Sequence, residues 1–163
     1  MTNGRAPGTG PQPDDSAAPG AIMVAESEAR PYGQRITIGG HELRADEPTT
    51  AGGADTGPTP YDLVLAGLGA CTSMTVRMYA DRKGWPLRQV SVMLRHQRIH
   101  AKDCEVCETD TGLLDHIERE VRLDGDLTDE QRAKLLYIAD RCPVHRSLNS
   151  EVVITTTSAV DLR

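Results

Sequence analysis

From Thr59 to Gly84 the chain reads TPYDLVLAGLGACTSMTVRMYADRKG, and the run Leu63 to Cys71 within it carries no charge. A helix that is apolar on all sides is expected in a core, not on a surface. Pro60 suits a first helical turn and Asp62 suits the positive end of the dipole. Arg82 and Lys83 followed by Gly84 form a helix stop. One long central helix is therefore predicted, with Cys71 among the small residues Gly67, Gly69 and Ala70 that allow close approach.

Period-two patterning predicts the strands. AIMVAES at 21–27 is a short strand, and Gln34–Ile38 and Glu42–Ala45 flank Gly39-Gly40, a hairpin signal. The segment 46–58 is a loop that delivers the chain to the central helix. Beyond Pro86, Val90, Val92 and Leu94 alternate with Ser91, Met93 and Arg95, predicting a strand over 88–99. Ile117, Val121 and Leu123 alternate with Glu118, Glu120 and Arg122 in the next strand. Thr128 and Gln131 fit a capping box that opens a second helix, whose apolar face is Leu135, Leu136, Ile138 and Ala139. Pro143 interrupts after Cys142, VHRSL forms a further short turn of helix, and the β-branched run in 151–160 closes the sheet. Strands paired antiparallel, with helices interspersed, define an α+β fold.

Composition narrows the picture. Residues 1–20 are rich in Pro, Gly, Ser and Asp and read as a disordered tail, leaving one domain over 21–163. With 38% hydrophobic residues, one Trp and no Phe, the core rests on Val, Ile, Leu and Met, and an all-apolar helix in so small a domain implies a second subunit that helps to bury it. A net charge of −6 argues against nucleic acid and anionic membranes as partners. No run of 18 apolar residues is present, so no membrane span is expected. The first residues lack the basic-then-apolar order of a secretory signal, so the four cysteines are expected to be reduced, in the cytoplasm.

Two groups of residues could carry chemistry. Cys71 and Cys142 lie on or at the end of helices, either as inert core residues or as a reactive pair. The second group is His96, His100, Cys104 and Cys107 in RHQRIHAKDCEVCET. Its CxxC reads as a metal site (Cys104 and Cys107 with His100), as a vicinal dithiol, or as incidental thiols. His145 either polarises the Cys142 thiol or is a hydrogen-bonded histidine beneath the sheet. Charge-rich Glu118-Arg119-Glu120 reads as a solvated face.

GPTPYDLVLAGLGACTSMTVRMYADRKGW together with IADRCPVHRSL resembles the OsmC/Ohr family, the osmotically induced and organic-hydroperoxide-resistance proteins. The resemblance implies an intertwined homodimer whose sheets wrap the central helices of both chains. It also implies a thiol peroxidase that reduces organic hydroperoxides, needs no cofactor, and is reset by a cellular dithiol. By position Cys71 matches the peroxidatic cysteine and Cys142 the resolving one. The family's glutamate, ten residues before the peroxidatic cysteine, is Tyr61 here, and the nearest carboxylate is Asp62. Arg30 falls near the family's early-loop arginine, and reads equally as an exposed loop residue. The apolar neighbours Leu63, Leu68 and Met74 favour greasy hydroperoxides over hydrogen peroxide. The alternative is a non-catalytic redox- or metal-responsive binding protein that uses the Cys104/Cys107 loop.

Overall fold

The computed structural model describes residues 20–103 and 111–158. Cys104, Cys107 and most of the N-terminal tail lie outside the described residues. The chain divides into two compact units, Met1–Pro60 and Tyr61–Arg163.

The first unit is an antiparallel meander of β1 (Ile22–Glu26), β2 (Gln34–Ile38) and β3 (His41–Ala45). Ile38 pairs with His41 across the Gly39-Gly40 turn, where Gly39 takes a φ of 55°. That left-handed value is what the hairpin requires of a residue without a side chain. The loop that follows is organised by Asp46. One carboxylate oxygen accepts the N–H of Glu47, and the other accepts the N–H groups of Ala54 and Thr56 and the Thr56 hydroxyl. Burial beneath its own loop acts to raise the Asp46 pKa, but these donors outweigh it and hold the carboxyl below its ordinary value.

The second unit begins with α1 (Pro60–Lys83), 24 residues long. Two long strands follow, β4 (Leu87–His100) and β5 (Leu113–Gly125), paired antiparallel from Leu87–Gly125 to His100–Leu113. Then come α2 (Asp129–Ala139) and the short α3 (Pro143–Leu148). The Thr128–Gln131 capping box forms with both of its hydrogen bonds. The core of this unit is Val76, Ala80, Leu87, Leu123, Leu127, Leu135 and Ala139, with Tyr79, Trp85, Val90 and Val121 packed on it. Arginines lock the layers together. Arg77 donates to the carbonyls of Leu87 and Arg88, and Arg132 to those of Leu123 and Gly125. Gly69 brings α1 close to the sheet, since a Cβ there would meet Leu94 Cδ1 at 2.9 Å.

Two expectations are corrected. The run Leu63–Cys71 is not enclosed on all sides: α1 buries the stripe Leu68, Gly69, Thr72, Val76 and Ala80, while Val64, Met74 and Met78 are exposed. One sheet can cover only one side of a helix, and 3.6 residues per turn carries every other position outward. Residues 151–158 form no strand, and Val152, Val153 and Ile154 stand open, Ile154 at 85%. β-Branched composition expresses itself as a strand only where an edge is available for pairing. By length and composition α1 also meets the test for a membrane-crossing helix, with a mean hydropathy of 1.3 over its most apolar window. The sequence reading missed this because Pro60, Asp62 and Thr72 interrupt any unbroken apolar run. Core helices meet the same test, and the buried stripe of α1 is engaged with protein.

Leu135 is fully buried at the centre of the core. Leu135→Ala is expected to cost about 2–5 kcal/mol through lost transfer energy and the cavity left behind, measured as a reduced urea midpoint with an unchanged slope.

Candidate active site

The site is built from four elements of the second unit. Leu68 and Thr72 are one turn apart on the buried stripe of α1, and Thr72 donates its hydroxyl to the Leu68 carbonyl at 2.8 Å. Its oxygen also lies 3.6 Å from the sulfur of Cys142, the residue that caps α3. The chain turns at Pro143, which fits a first helical position because it has no N–H to leave unpaired. This turn aims the backbone N–H of His145 at the Cys142 sulfur, 3.3 Å away. Cys71, the neighbour of Thr72, is near enough for its side chain to act on the ionisation of that sulfur. Both cysteines are free thiols, Cys142 fully buried and Cys71 half-buried.

The third element is β5, whose Arg119 has a side chain only 12% exposed and reaches the fourth, the end of α2. Its guanidinium donates to the Thr72 hydroxyl at 3.1 Å and to the Ala139 carbonyl at 3.4 Å, and pairs with the Asp140 carboxylate. A cation at the last turn of α2 is also favoured by that helix's dipole. Burial acts to raise the Cys142 pKa. The His145 N–H, the Thr72 hydroxyl, the Cys71 side chain and the Arg119 charge together outweigh it, and the thiol is held below its ordinary value of 9.0.

Beside this cluster lies a cavity of ≈310 Å³, lined by Leu68, Ile117 and Leu148 on its apolar side and by Arg119, Asp115 and His145 on its polar side. Asp115 is held by His96, whose Nε2 lies 2.9 Å from the carboxylate. The His96 ring in turn stacks on Tyr61, with centroids 4.3 Å apart and planes 10° from parallel. Tyr61 thus has a packing role at the position where the family's glutamate falls.

The structure brings Cys71 and Cys142 together. Asp62 lies at the first turn of α1 and lines a separate shallow cleft with Leu65, Gly69, Val92 and Leu94. Arg30 belongs to the first unit, where it forms an exposed pair with Glu26 at 3.2 Å. His145 meets Cys142 through its backbone, while its imidazole pairs with Asn149 at 3.0 Å. Its imidazole is thus a hydrogen-bonded group beside β5 and not the base that polarises the thiol. His100 accepts the N–H of Lys102 at 3.2 Å. Among the described residues no group of three His, Cys, Asp or Glu is placed to hold a metal, and the two cysteines of the CxxC lie outside them.

Arg119 and Asp140 are the residues that sequence reading missed, Arg119 having been taken for part of a solvated face. A signal was present. Arg119 falls in phase with Ile117, Val121 and Leu123, the inward side of its strand. An arginine at an inward position needs a partner, since an unpaired buried charge is very costly.

Antiparallel sheets with a long helix presenting one thiol to another define a cysteine-pair protein of the α+β class. The chain belongs to the OsmC-like protein family, whose model matches residues 52–157. No curated protein sequence matches the chain. Among solved structures, an OsmC-like protein from Mycoplasma pneumoniae is 19% identical, with a TM-score of 0.61 over 79% of this chain and 86% of that one. The organic hydroperoxide resistance protein OsmC from Legionella pneumophila is 20% identical, with a TM-score of 0.57 over 81% and 91%. The organic hydroperoxide resistance protein OhrB of Bacillus subtilis is 20% identical, with a TM-score of 0.52 over 78% and 87%. At these identities the likeness establishes the fold.

The depressed thiol makes stability pH-dependent. Folded Cys142 gives up its proton before the unfolded chain does, so its contribution is fully present above the ordinary thiol value and is lost as pH falls through the folded midpoint. Urea unfolding of the reduced protein at about pH 6 and about pH 9 is expected to show a rise in stability that Cys142→Ser lacks. Equal pH dependence in the two proteins would contradict the geometry.

Proposed function

We propose that this protein is a homodimeric, cytoplasmic thiol peroxidase that reduces organic hydroperoxides with the Cys71–Cys142 pair. The observation that carries this reading is the surrounding of the Cys142 sulfur by the His145 N–H, the Thr72 hydroxyl, the Cys71 side chain and the charge of the largely covered Arg119, which bias it toward its anion. A thiolate, not a thiol, is the nucleophile toward peroxide.

In the reaction, a thiolate attacks one oxygen of the O–O bond. A sulfur–oxygen bond forms, the O–O bond breaks with its electron pair on the leaving alkoxide, and water supplies the proton that makes it an alcohol. The sulfenic acid condenses with the neighbouring thiol, giving a disulfide and water before further oxidation can occur. A cellular dithiol then reduces the disulfide and is itself oxidised. Relatives of the same fold named as organic hydroperoxide resistance proteins support this substrate class. So does the cavity, whose Leu68, Ile117 and Leu148 suit an alkyl or aryl group.

Two open surfaces support the dimer. Val64, Gly67, Cys71, Met74 and Met78 fall within an arc of roughly 80° on α1, and Met74 is 65% exposed. The apolar segment Val152–Ile154 is likewise uncovered. A second copy of the chain would bury both and would offer 151–158 an edge to pair with.

Stopped-flow oxidation of the reduced protein by cumene hydroperoxide and by hydrogen peroxide tests the function. The aryl group needs to contribute only about 1.4 kcal/mol against the apolar wall for a ~10-fold preference, so the organic peroxide is expected to react faster by at least that factor. Equal rates, or oxidation no faster than that of free cysteine, would overturn the reading.

A further inference from the structure

We propose that Arg119, fixed by Asp140, is a positioning residue for the closing step of the reaction: it holds the turn that carries Cys142 against α1, so that this sulfur meets the sulfenic acid formed at Cys71. This rests on the peroxidase reading above. Of the two sulfurs Cys71 is half-buried and Cys142 fully buried, so a molecule from outside meets Cys71 first and Cys142 is left to close the disulfide.

One guanidinium spans the two walls between which that disulfide has to form. On the α1 side its Nη1 donates to the hydroxyl oxygen of Thr72, the residue next to Cys71, at 3.1 Å. On the other side the same nitrogen donates to the Ala139 carbonyl at 3.4 Å, and Nη2 pairs with the Asp140 carboxylate. Ala139 and Asp140 lie three and two residues before Cys142, and the Ala139 carbonyl also accepts the N–H of Cys142 at 3.4 Å. Arg119 thus pins the end of α2, and through it the Cys142 backbone, to the helix that carries Cys71. A disulfide forms only within narrow limits of separation and direction, which a turn free to drift would miss.

The same arrangement prepares the sulfur for attack. The groups that face Cys142 are the Thr72 hydroxyl and the Cys71 side chain from α1 and the Arg119 charge from β5. α3 adds the His145 backbone N–H, with the imidazole turned to Asn149. Asp140 at the end of α2 opposes Arg119, but its side chain is 64% exposed and solvent screens much of its charge. Burial acts to raise the Cys142 pKa, and the other groups outweigh it and favour the anion, the form of a thiol that attacks.

The closing step balances. Cys142 gives up its proton and donates an electron pair to the Cys71 sulfur, the S–S bond forms, and the S–O bond of the sulfenic acid breaks toward hydroxide. A proton equal to the one released turns the hydroxide into water. Speed matters, because a second peroxide competes by carrying the sulfenic acid on to sulfinic acid.

The test gives the reduced full-length chain and its Arg119→Gln variant one equivalent of cumene hydroperoxide. Peptide-resolved mass spectrometry of quenched samples then follows the Cys71–Cys142 disulfide and, with dimedone present, the adduct at Cys71. A Cys142 midpoint raised by ~1 pH unit cuts the anion about ten-fold near neutral pH and raises its nucleophilicity about three-fold, a net loss of ~3-fold. Arg119→Gln is therefore expected to slow the closing step by at least ~3-fold, to accumulate more Cys71 adduct, and to move the pH profile of that step up by ~1 unit. A general loosening of the fold would slow the step without moving its profile. An unchanged closing rate, or a slower one with an unmoved profile, overturns the assignment. Asp140→Ala alters an exposed side chain and decides the matter where Arg119→Gln fails to fold: slower closing is expected, and an unchanged rate overturns the assignment.

Cys142→Ser separates this assignment from the reading beneath it. The Cys71 adduct is expected to persist in that variant. No adduct at Cys71 there or in the wild type sinks the peroxidase reading. A ¹³C titration of Cys142 in the reduced wild type and Arg119→Gln, which needs no peroxide, still decides whether Arg119 acts on that sulfur: a higher midpoint in the variant is expected, and an equal one overturns it.

Discussion

A guanidinium inside the second unit is the constraint on which the rest of this site depends. Arg119 sits on the inward side of β5, in phase with Ile117, Val121 and Leu123, and its charge must be answered within reach of the side chain. The answers are the C-terminal carbonyl of α2, the Asp140 carboxylate and the Thr72 hydroxyl on α1. Three elements distant in sequence are thus held in one register by a single side chain. Removing one partner of a buried charged group is far more damaging than replacing the whole set by apolar residues.

The same group gives the site its electrostatics. A fully buried thiol would ordinarily hold its proton more tightly, because burial penalises the anion. Here Cys142 is as buried as any of the described residues, and still its thiol is biased toward ionisation. The His145 N–H and the Thr72 hydroxyl at the sulfur, with the Cys71 side chain and the charge of Arg119, outweigh the loss of water. The α3 turn at Pro143 and the i−4 hydrogen bond of Thr72 are local devices, yet each aims a donor at that atom. The Tyr61–His96–Asp115 chain is a second polar assembly on the cavity's edge, and it gives a physical reason for an aromatic ring at the start of α1.

Much of this was readable from residue order, and the unreadable parts have physical causes. The central helix, the Gly39-Gly40 hairpin and the capping box at Thr128 all follow from local chemistry. The strand expected at 151–160 did not form over its described residues, because strand propensity says nothing about where a pairing edge will be found. The all-round burial of Leu63–Cys71 failed for a related reason: apolar composition states a need for cover without saying what supplies it. Arg119 was misread because its flanking glutamates suggested a solvated face, although its phase with Ile117 and Val121 pointed inward. Asp140 carried no signal at all, since only the folded chain brings the end of α2 to β5.

The claim at the centre of this account is that Cys71 and Cys142 form one redox centre. Peptide mapping by mass spectrometry after oxidation with a single equivalent of organic hydroperoxide tests it most directly. The account predicts that the first disulfide to appear joins the peptides carrying Cys71 and Cys142, with Cys104 and Cys107 still reduced. A first disulfide confined to Cys104 and Cys107, or peroxide consumed with Cys71 and Cys142 left unlinked, would contradict it.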